Sequence, residues 1–356
     1  MQLKKDTMTS KERMDAFYNG ERPDRVGLHA LSTAFNLTNA GYEVRDLYDQ
    51  PEKSFEAMKW TFDQYAWETA LQYCTHTVSA IYDFGGELRM PKGKYEGALV
   101  MVSHPVKNES DIDKLKTPDP RTAGRIAQGL AYAKLQVQNN LPVTFYARSP
   151  FTYAANLPGL DAFCKWTIKR PDLCQRLMQI SLEHEVRVLK VWVETFGPEN
   201  IFVWMSSPSE SNQVVSPRTV KNLALEYHFK YHEHLRDLGI KRFGFHICGD
   251  QNLNLPILAE AQPWPHPSVL SFGHEVDLEK AGDLFPQDII YGNIEPAIIQ
   301  TASPQAIYDN CLVAIEKGKK APGGFILGTG CGLPASVPPA KVFAMTKAVA
   351  DHGYYG

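Results

Sequence analysis

No stretch of this 356-residue chain approaches the roughly 20 consecutive apolar residues a membrane-crossing helix requires. A membrane is therefore not an expected partner. The amino terminus, Met1-Gln2-Leu3-Lys4-Lys5-Asp6, leads into polar sequence without the apolar segment of a signal peptide, so a cytoplasmic location is expected. An excess of either charge is also missing: 37 Lys and Arg face 40 Asp and Glu, for a net charge of -3, and the two signs are interleaved. That balance offers no basic face to nucleic acid. Cysteine is scarce, with six residues at positions 74, 164, 174, 248, 311 and 331 and no small-domain disulfide spacing, which leaves thiols or metal ligands. Neither a Gly/Ser/Pro-rich linker nor a sequence repeat divides the chain. The expected organisation is one domain over 1–356 with a helical extension at about 1–20.

What the chain does contain is a regular alternation. Short β-branched and aromatic runs at 25–30, 78–83, 142–147, 200–205, 242–247, 268–273, 288–292 and 324–328 are separated by longer helical patterns. Helix starts are marked by Ser216-Pro217, Asp277, Ser303-Pro304 and Pro338-Pro339, residues that suit a first turn whose N–H groups have no helical partner. Eight strands alternating with helices predict an α/β fold, the (β/α)8 TIM barrel, whose functional groups lie at the carboxyl ends of its strands.

His246-Ile247-Cys248 falls at one such end, and Cys331 follows 83 positions after Cys248 in Gly328-Thr329-Gly330-Cys331-Gly332, just past the last strand candidate. Two residues apart on a strand, His246 and Cys248 share a face. In a closed barrel the two strand ends are expected to be near neighbours, so one imidazole and two thiolates converge over the mouth. That donor set holds zinc and leaves a fourth position open, as catalytic sites do. Cys164, Cys174 and Cys311 sit on apolar faces of helices and are read as packing.

Further segments carry a family resemblance: Asn19-Gly20-Glu21-Arg22-Pro23-Asp24-Arg25-Val26, Ser149-Pro150-Phe151-Thr152-Tyr153-Ala154-Ala155, Val215-Ser216-Pro217, Gly292-Asn293-Ile294-Glu295-Pro296 and Gly330-Cys331-Gly332-Leu333-Pro334. Together they resemble the uroporphyrinogen decarboxylase superfamily, and within it the zinc-dependent methyltransferases that work with corrinoid proteins. The resemblance implies a zinc ion on His246, Cys248 and Cys331 and transfer of a methyl group to or from cobalt. The chain has no corrinoid-binding Asp-x-His-x-x-Gly motif, so the cobalamin is expected on a separate corrinoid protein docked at the mouth. True decarboxylases of the superfamily carry closely placed amino-terminal arginines, whereas Arg22 and Arg25 are followed by Gly27-Leu28-His29-Ala30-Leu31-Ser32. A porphyrinogen decarboxylase, or a barrel that binds without catalysis, is the remaining alternative.

The ligand spacing is also similar to that of cobalamin-independent methionine synthase, a related barrel with a glutamate as a further zinc ligand. This implies a fourth ligand in Ser271-Phe272-Gly273-His274-Glu275, where Glu275 or His274 could serve, Glu275 being preferred. Glu210, in Ser207-Pro208-Ser209-Glu210, is another candidate carboxylate where relatives have Asp-Pro. Glu210, His274 and Asn293 are thus the candidate catalytic groups, and Asn212 a further pocket donor. Tyr146, Phe151, Tyr153, Trp204, Phe245 and Tyr291 fall near strand ends and are expected to wall an apolar pocket. On that basis a methoxylated aromatic is the favoured methyl donor, with O-demethylation as the reaction. The alternative is a small thiol acceptor of the coenzyme M kind. Of the other histidines, His228, His232 and His234 are read as a solvated or partly packed face of a 217–238 helix, His76 and His104 as facing the pocket, and His184 as surface.

Overall fold

The structure is a computed structural model that describes residues 3–355 apart from Thr69, Ala70, Gln72 and residues 74–78. Strand β1 spans Gly27–Leu28, β2 Glu87–Arg89, β3 Val100–Ser103, β4 Val143–Arg148, β5 Ile201–Ser206, β6 Arg242–Ile247, β7 Val269–Phe272, β8 Ile289–Ile294 and β9 Phe325–Thr329. Seven of these form one parallel sheet in the order β1-β9-β8-β7-β6-β5-β4, while β2 and β3 make a separate antiparallel hairpin. Each parallel neighbour is reached through helices, the connection that wraps a sheet into a (β/α)8-type barrel.

Beside β1 lies the short segment of Trp67 and Glu68, with Leu71 beyond it. The Glu68 amide donates to the Leu28 carbonyl at 2.8 Å, which binds this segment to β1. On its other side Gln136 acts as a stitch. Its Nε2 donates to the carbonyls of Leu71 (2.8 Å) and Pro142 (3.0 Å), and its Oε1 accepts the Thr144 amide of β4. The strand expected at 78–83 is not found: Val78 lies outside the described residues, and Ser79–Asp83 is a helix. Gly85 follows it at φ +81°, and the Gly86 amide returns to Ile81 at 2.7 Å, the left-handed closure that ends helices. Asp83-Phe84-Gly85-Gly86 was thus a helix stop, which a short apolar run cannot distinguish from a strand end.

The expected caps are present: Ser216 accepts the Thr219 amide, Asp277 those of Glu279 and Lys280, and Ser303 that of Ala306. Among the described residues no helix is long and apolar enough to cross a membrane. Cys174 and Cys311 are fully buried in helices, and Cys164 packs partly buried against the same core.

Side-chain parity divides the barrel wall. Phe145 packs outward on Trp192 of the long helix Pro171–Phe196, so Thr144, Tyr146 and Arg148 point inward. Register pairs Tyr146 with Trp204 and Gly244, and Arg148 with Ser206 and His246 one layer nearer the carboxyl ends. Large and small residues interlock in the lower layers. A Cβ on Gly244 would lie 2.4 Å from the Trp204 ring, and one on Gly328 would collide with Tyr291.

The helix Ser10–Tyr18 closes the amino end of the barrel by packing Met14 and Phe17 with Phe202, Val269, Ile289 and Ile326. It is held there by buried charge. Arg13 contacts Asp24 and Glu68 at 2.7 Å, and Arg25 contacts the same Glu68 at 2.7 Å and Asp6 at 2.8 Å.

Candidate metal centre and barrel mouth

At the carboxyl end of β6, His246 continues the inward face and Cys248 follows it, while Cys331 is delivered by the turn after β9. That turn is clamped on both sides: the Gly330 amide donates to Ile294 at 2.8 Å and the Leu333 amide to Leu31 at 2.7 Å. β7 and β8 separate β6 from β9, so the three residues meet across the mouth and not, as expected, from near-neighbour strands. One donor atom from each of His246, Cys248 and Cys331 lies within 4.8 Å of the others, and among the described residues no other group of three or more His, Cys, Asp or Glu does so.

The donor set fits a thiophilic metal such as zinc. The two sulfurs are 3.8 Å apart: hydrogen bonding to Cys248 and the nearby His246 pull the Cys331 thiol well below its usual range, whereas its partner Cys331 and burial push Cys248 up. His246 Nδ1 lies 3.0 Å from Ser271 Oγ on β7, its register partner, and Nε2 is buried with no hydrogen-bond partner. A buried, unsatisfied ring nitrogen beside two thiols is the arrangement a metal ion completes.

A polar scaffold holds the Cys248 turn. Gln251 Nε2 donates to the Cys248 carbonyl at 3.1 Å, and Asn254 Nδ2 bridges Gln251 Oε1 (2.6 Å) to the Glu210 carbonyl (2.9 Å). Gln251 and Asn254 are buried, and neither was singled out in the sequence; an amide pair three and six residues after a ligand is the only signal available. Asn212 belongs to the same scaffold, accepting the Leu253 amide instead of facing a pocket.

The fourth-ligand and catalytic candidates separate. Glu275 stands beside the cluster without joining it: one carboxylate oxygen is buried and unpartnered, 3.5 Å from His274 Nδ1. The backbone of His274 packs on Gly330, so this loop does reach the rim. Asn293 directs both amide hydrogens at that loop, to Gly273 (2.9 Å) and Val276 (2.6 Å), and so braces it. Glu210 turns away from the mouth. Its carboxylate meets His228 Nε2 at 2.9 Å behind the barrel wall, a pairing possible because the helix Leu225–Asp237 buries His228 instead of exposing it.

The expected aromatic wall is also redistributed. Phe245 faces outward against His228 and Trp264, Phe151 packs edge-on against Phe163, and Tyr153 donates to Asp83 at 2.6 Å in the helix layer. Trp204 points into the barrel toward its amino end, where with Met14, Tyr18 and Phe202 it lines a cavity of about 730 Å³; Tyr291 borders the same cavity with its ring but carries its hydroxyl toward Thr329 and Cys331 at the carboxyl ends. Tyr146 also reaches upward, its hydroxyl 3.1 Å from Ser206 Oγ. Strand-end position was misleading because strand parity, not distance from the end, decides which way a side chain points.

His184 is buried, 3.4 Å from Asp83, and His232 is buried against Phe243, where desolvation holds its ring far below the usual range. His104 Nδ1 lies 2.9 Å from the Asn156 carbonyl, and His76 lies outside the described residues.

The family model for uroporphyrinogen decarboxylase (URO-D) matches residues 9–352. The methylcobamide:CoM methyltransferase MtbA of Methanosarcina mazei is 24% identical over 257 residues, 71% of this chain and 72% of that protein. MtaA of Methanosarcina barkeri, also a methylcobamide:CoM methyltransferase, is 24% identical over 227 residues, 63% of this chain and 62% of its own. The uroporphyrinogen decarboxylase of Trichlorobacter lovleyi is 22% identical over 258 residues, 70% of this chain and 72% of its own. A solved methyltransferase from Methanosarcina mazei superposes with a TM-score of 0.80 at 22% identity, covering 97% of this chain and 98% of that one.

Proposed function

The chain belongs to the uroporphyrinogen decarboxylase family, and from that premise we propose that it is a corrinoid-dependent methyltransferase that moves a methyl group from a methylcobamide, carried by a partner protein, to a small thiol. The observation that carries the reading is the convergence of His246, Cys248 and Cys331 with a buried, unpartnered His246 Nε2. His246, Cys248 and Cys331 would hold the zinc, which when bound lowers the pKa of a thiol and makes it nucleophilic at neutral pH.

In the transfer, the acceptor sulfur bonds to the methyl carbon as the cobalt–carbon bond breaks with its electron pair left on cobalt, and the thiol proton passes to solvent. The protein's own contribution is position. Ser271 orients the His246 ring, the Gln251–Asn254 pair fixes the Cys248 turn, and the Gly330–Leu333 clamp holds Cys331.

Thiol methylation takes precedence over aromatic O-demethylation. The methyltransferase relatives MtbA and MtaA act on coenzyme M, and of the side chains that suggested an aromatic pocket Phe151, Tyr153 and Phe245 lie in the helix layer and Trp204 faces the amino end of the barrel. Decarboxylation is disfavoured by the use made of the amino-terminal arginines. Arg25 is enclosed by Asp6 and Glu68, and Arg22 stacks on Tyr355 at 4.7 Å, so neither is set to bind a porphyrinogen carboxylate at the mouth.

The direct test is to follow the cobalt spectrum of a methylated corrinoid protein mixed with this chain and either a thiol or a phenol. Loss of methylcobalt on thiol addition is the expected result. Methylcobalt formed from cob(I)amide and a methoxyarene would reverse the assignment.

A further inference from the structure

At the amino end of the barrel, opposite the metal centre, the cavity of about 730 Å³ is far larger than the voids a close-packed interior leaves and falls in the size range of small-molecule sites. One face of the helix Ser10–Tyr18, with Met14 and Tyr18, forms one side of it, and the segments leading into β4 and β5, with Leu141 and Phe196, form the other. Phe202, Trp204 and the ring of Tyr291 make its depth. Val137, apolar yet half-exposed, and the partly buried Leu141 stand at its entrance.

Trp204 offers a hydrogen-bond donor to that space. The residue is only 3% exposed, and a Cβ on Gly244 of β6 would meet its Cε3 and Cζ3 atoms, which leaves the opposite edge of the indole, with Nε1, away from β6. Nε1 has no hydrogen-bond acceptor among the described residues, whereas a buried indole N–H ordinarily finds one. Unlike Nε1 of Trp67, it is not sealed in the core, so its hydrogen opens on the cavity. The charges of the lining cancel: Lys11 and Arg242 both bind Asp15, at 2.6 and 2.8 Å, and Glu199 is the remaining acid. In the depth, burial holds the His29 ring down at about 4 and therefore neutral. An ion entering there would lose its hydration without a counter-charge to replace it.

We propose that this cavity is a second ligand site, separate from the metal centre, which takes a neutral aromatic compound whose carbonyl or ether oxygen accepts the Trp204 indole hydrogen. The rings of Tyr18, Phe202 and Trp204 supply the apolar contact area, and the single donor sets the orientation. The occupant touches both the helix Ser10–Tyr18 and the barrel wall, so binding stabilises the closed amino end.

The test is fluorescence titration of the full chain with prodan, a neutral acylnaphthalene dye whose emission moves to the blue in apolar surroundings. One dye is expected to bind per chain, saturably and with a blue shift, and to be displaced by acetylnaphthalene but not by naphthalenesulfonate at equal concentration. Leu141→Trp, which fills the entrance, should weaken binding by more than about tenfold, and Trp204→Phe, which keeps a ring and removes the N–H, by about 3- to 10-fold. Dye should also raise the urea midpoint of wild type and leave that of Leu141→Trp unmoved. Val137→Trp, at the half-exposed lip, replaces Leu141→Trp if the latter does not fold. No saturable binding, or full binding by the folded entrance variant, overturns the site. Equal displacement by naphthalenesulfonate overturns the neutral ligand class, and undiminished binding by folded Trp204→Phe overturns the role of the indole. Neither metal nor methyl transfer enters the measurement, so its outcome is independent of the thiol reading.

Discussion

At His246, the nitrogen facing Ser271 governs what the other nitrogen can do. When Nδ1 donates to Ser271 Oγ, Nε2 keeps its lone pair and points it toward the two sulfurs. Ser271→Ala is expected to weaken zinc binding by about 10- to 100-fold in chelator competition while leaving the fold intact; undiminished affinity would remove Ser271 from the site. The three metal-type residues were legible because residue type and strand-end position both mark them. Ser271 was not, because nothing about a serine 25 residues after a histidine says that register pairs them. Glu185 supplies a second measurement at this scale. Its carboxyl is raised from 4.5 to about 8 by burial. Between those values the folded protein holds a proton that the unfolded chain has released, so this group's contribution to stability falls as pH rises through the window. Glu185→Gln keeps an acceptor for the Arg148 amide and should flatten that decline when urea midpoints are compared from pH 5 to pH 8. An unaltered slope would mean the carboxyl is not the source.

Elements were legible where length and punctuation agreed. The capped helices after Ser216, Asp277 and Ser303 begin where the capping residues stand, and the strand runs at 142–147, 200–205 and 242–247 fall within a residue or so of β4, β5 and β6. The 78–83 run failed because six apolar and polar residues fit either period, and only the Gly85-Gly86 closure decides for a helix. Which side chains enter the barrel was hidden for a related reason: parity needs the exact strand phase. Gly244 shows what that phase costs to violate. With Trp204 and Phe202 filling the space its side chain would take, at 2.4 and 2.8 Å, Gly244→Ala is expected to destabilise by about 1–3 kcal/mol through overpacking, read from denaturant unfolding. A neutral effect would mean that the interior yields more readily than its packing indicates.

At the scale of the molecule, the two termini and the barrel are joined by one buried ion network whose members stand at positions 6, 13, 24, 25, 68 and 354, a separation that no local pattern reveals. Tyr354 donates to Asp6 at 2.8 Å, Asp6 contacts Arg25, and Arg25 and Arg13 share Glu68. Arg13→Met would leave Asp24 and Glu68 short of a cation in a buried setting and is expected to cost about 3–5 kcal/mol, against less than 1 kcal/mol for the exposed Lys59–Asp63 pair. The pH dependence should carry the same signature. Burial pushes Asp6 and Asp24 up, but hydrogen bonds and charge from Arg25 and Arg13 respectively outweigh it and hold both below the ordinary 3.8. Their contribution is therefore complete above that value and is lost as pH falls below it through the folded values, because only then does the unfolded chain bind protons that the folded one refuses. If the helix Ser10–Tyr18 and the barrel are one domain, as we propose, Arg13→Met should shift a single unfolding transition without splitting it, since Met14 and Phe17 close the same barrel that Arg13 anchors. A separate early transition confined to the amino-terminal helix would show instead that the extension is an independent unit resting on the barrel.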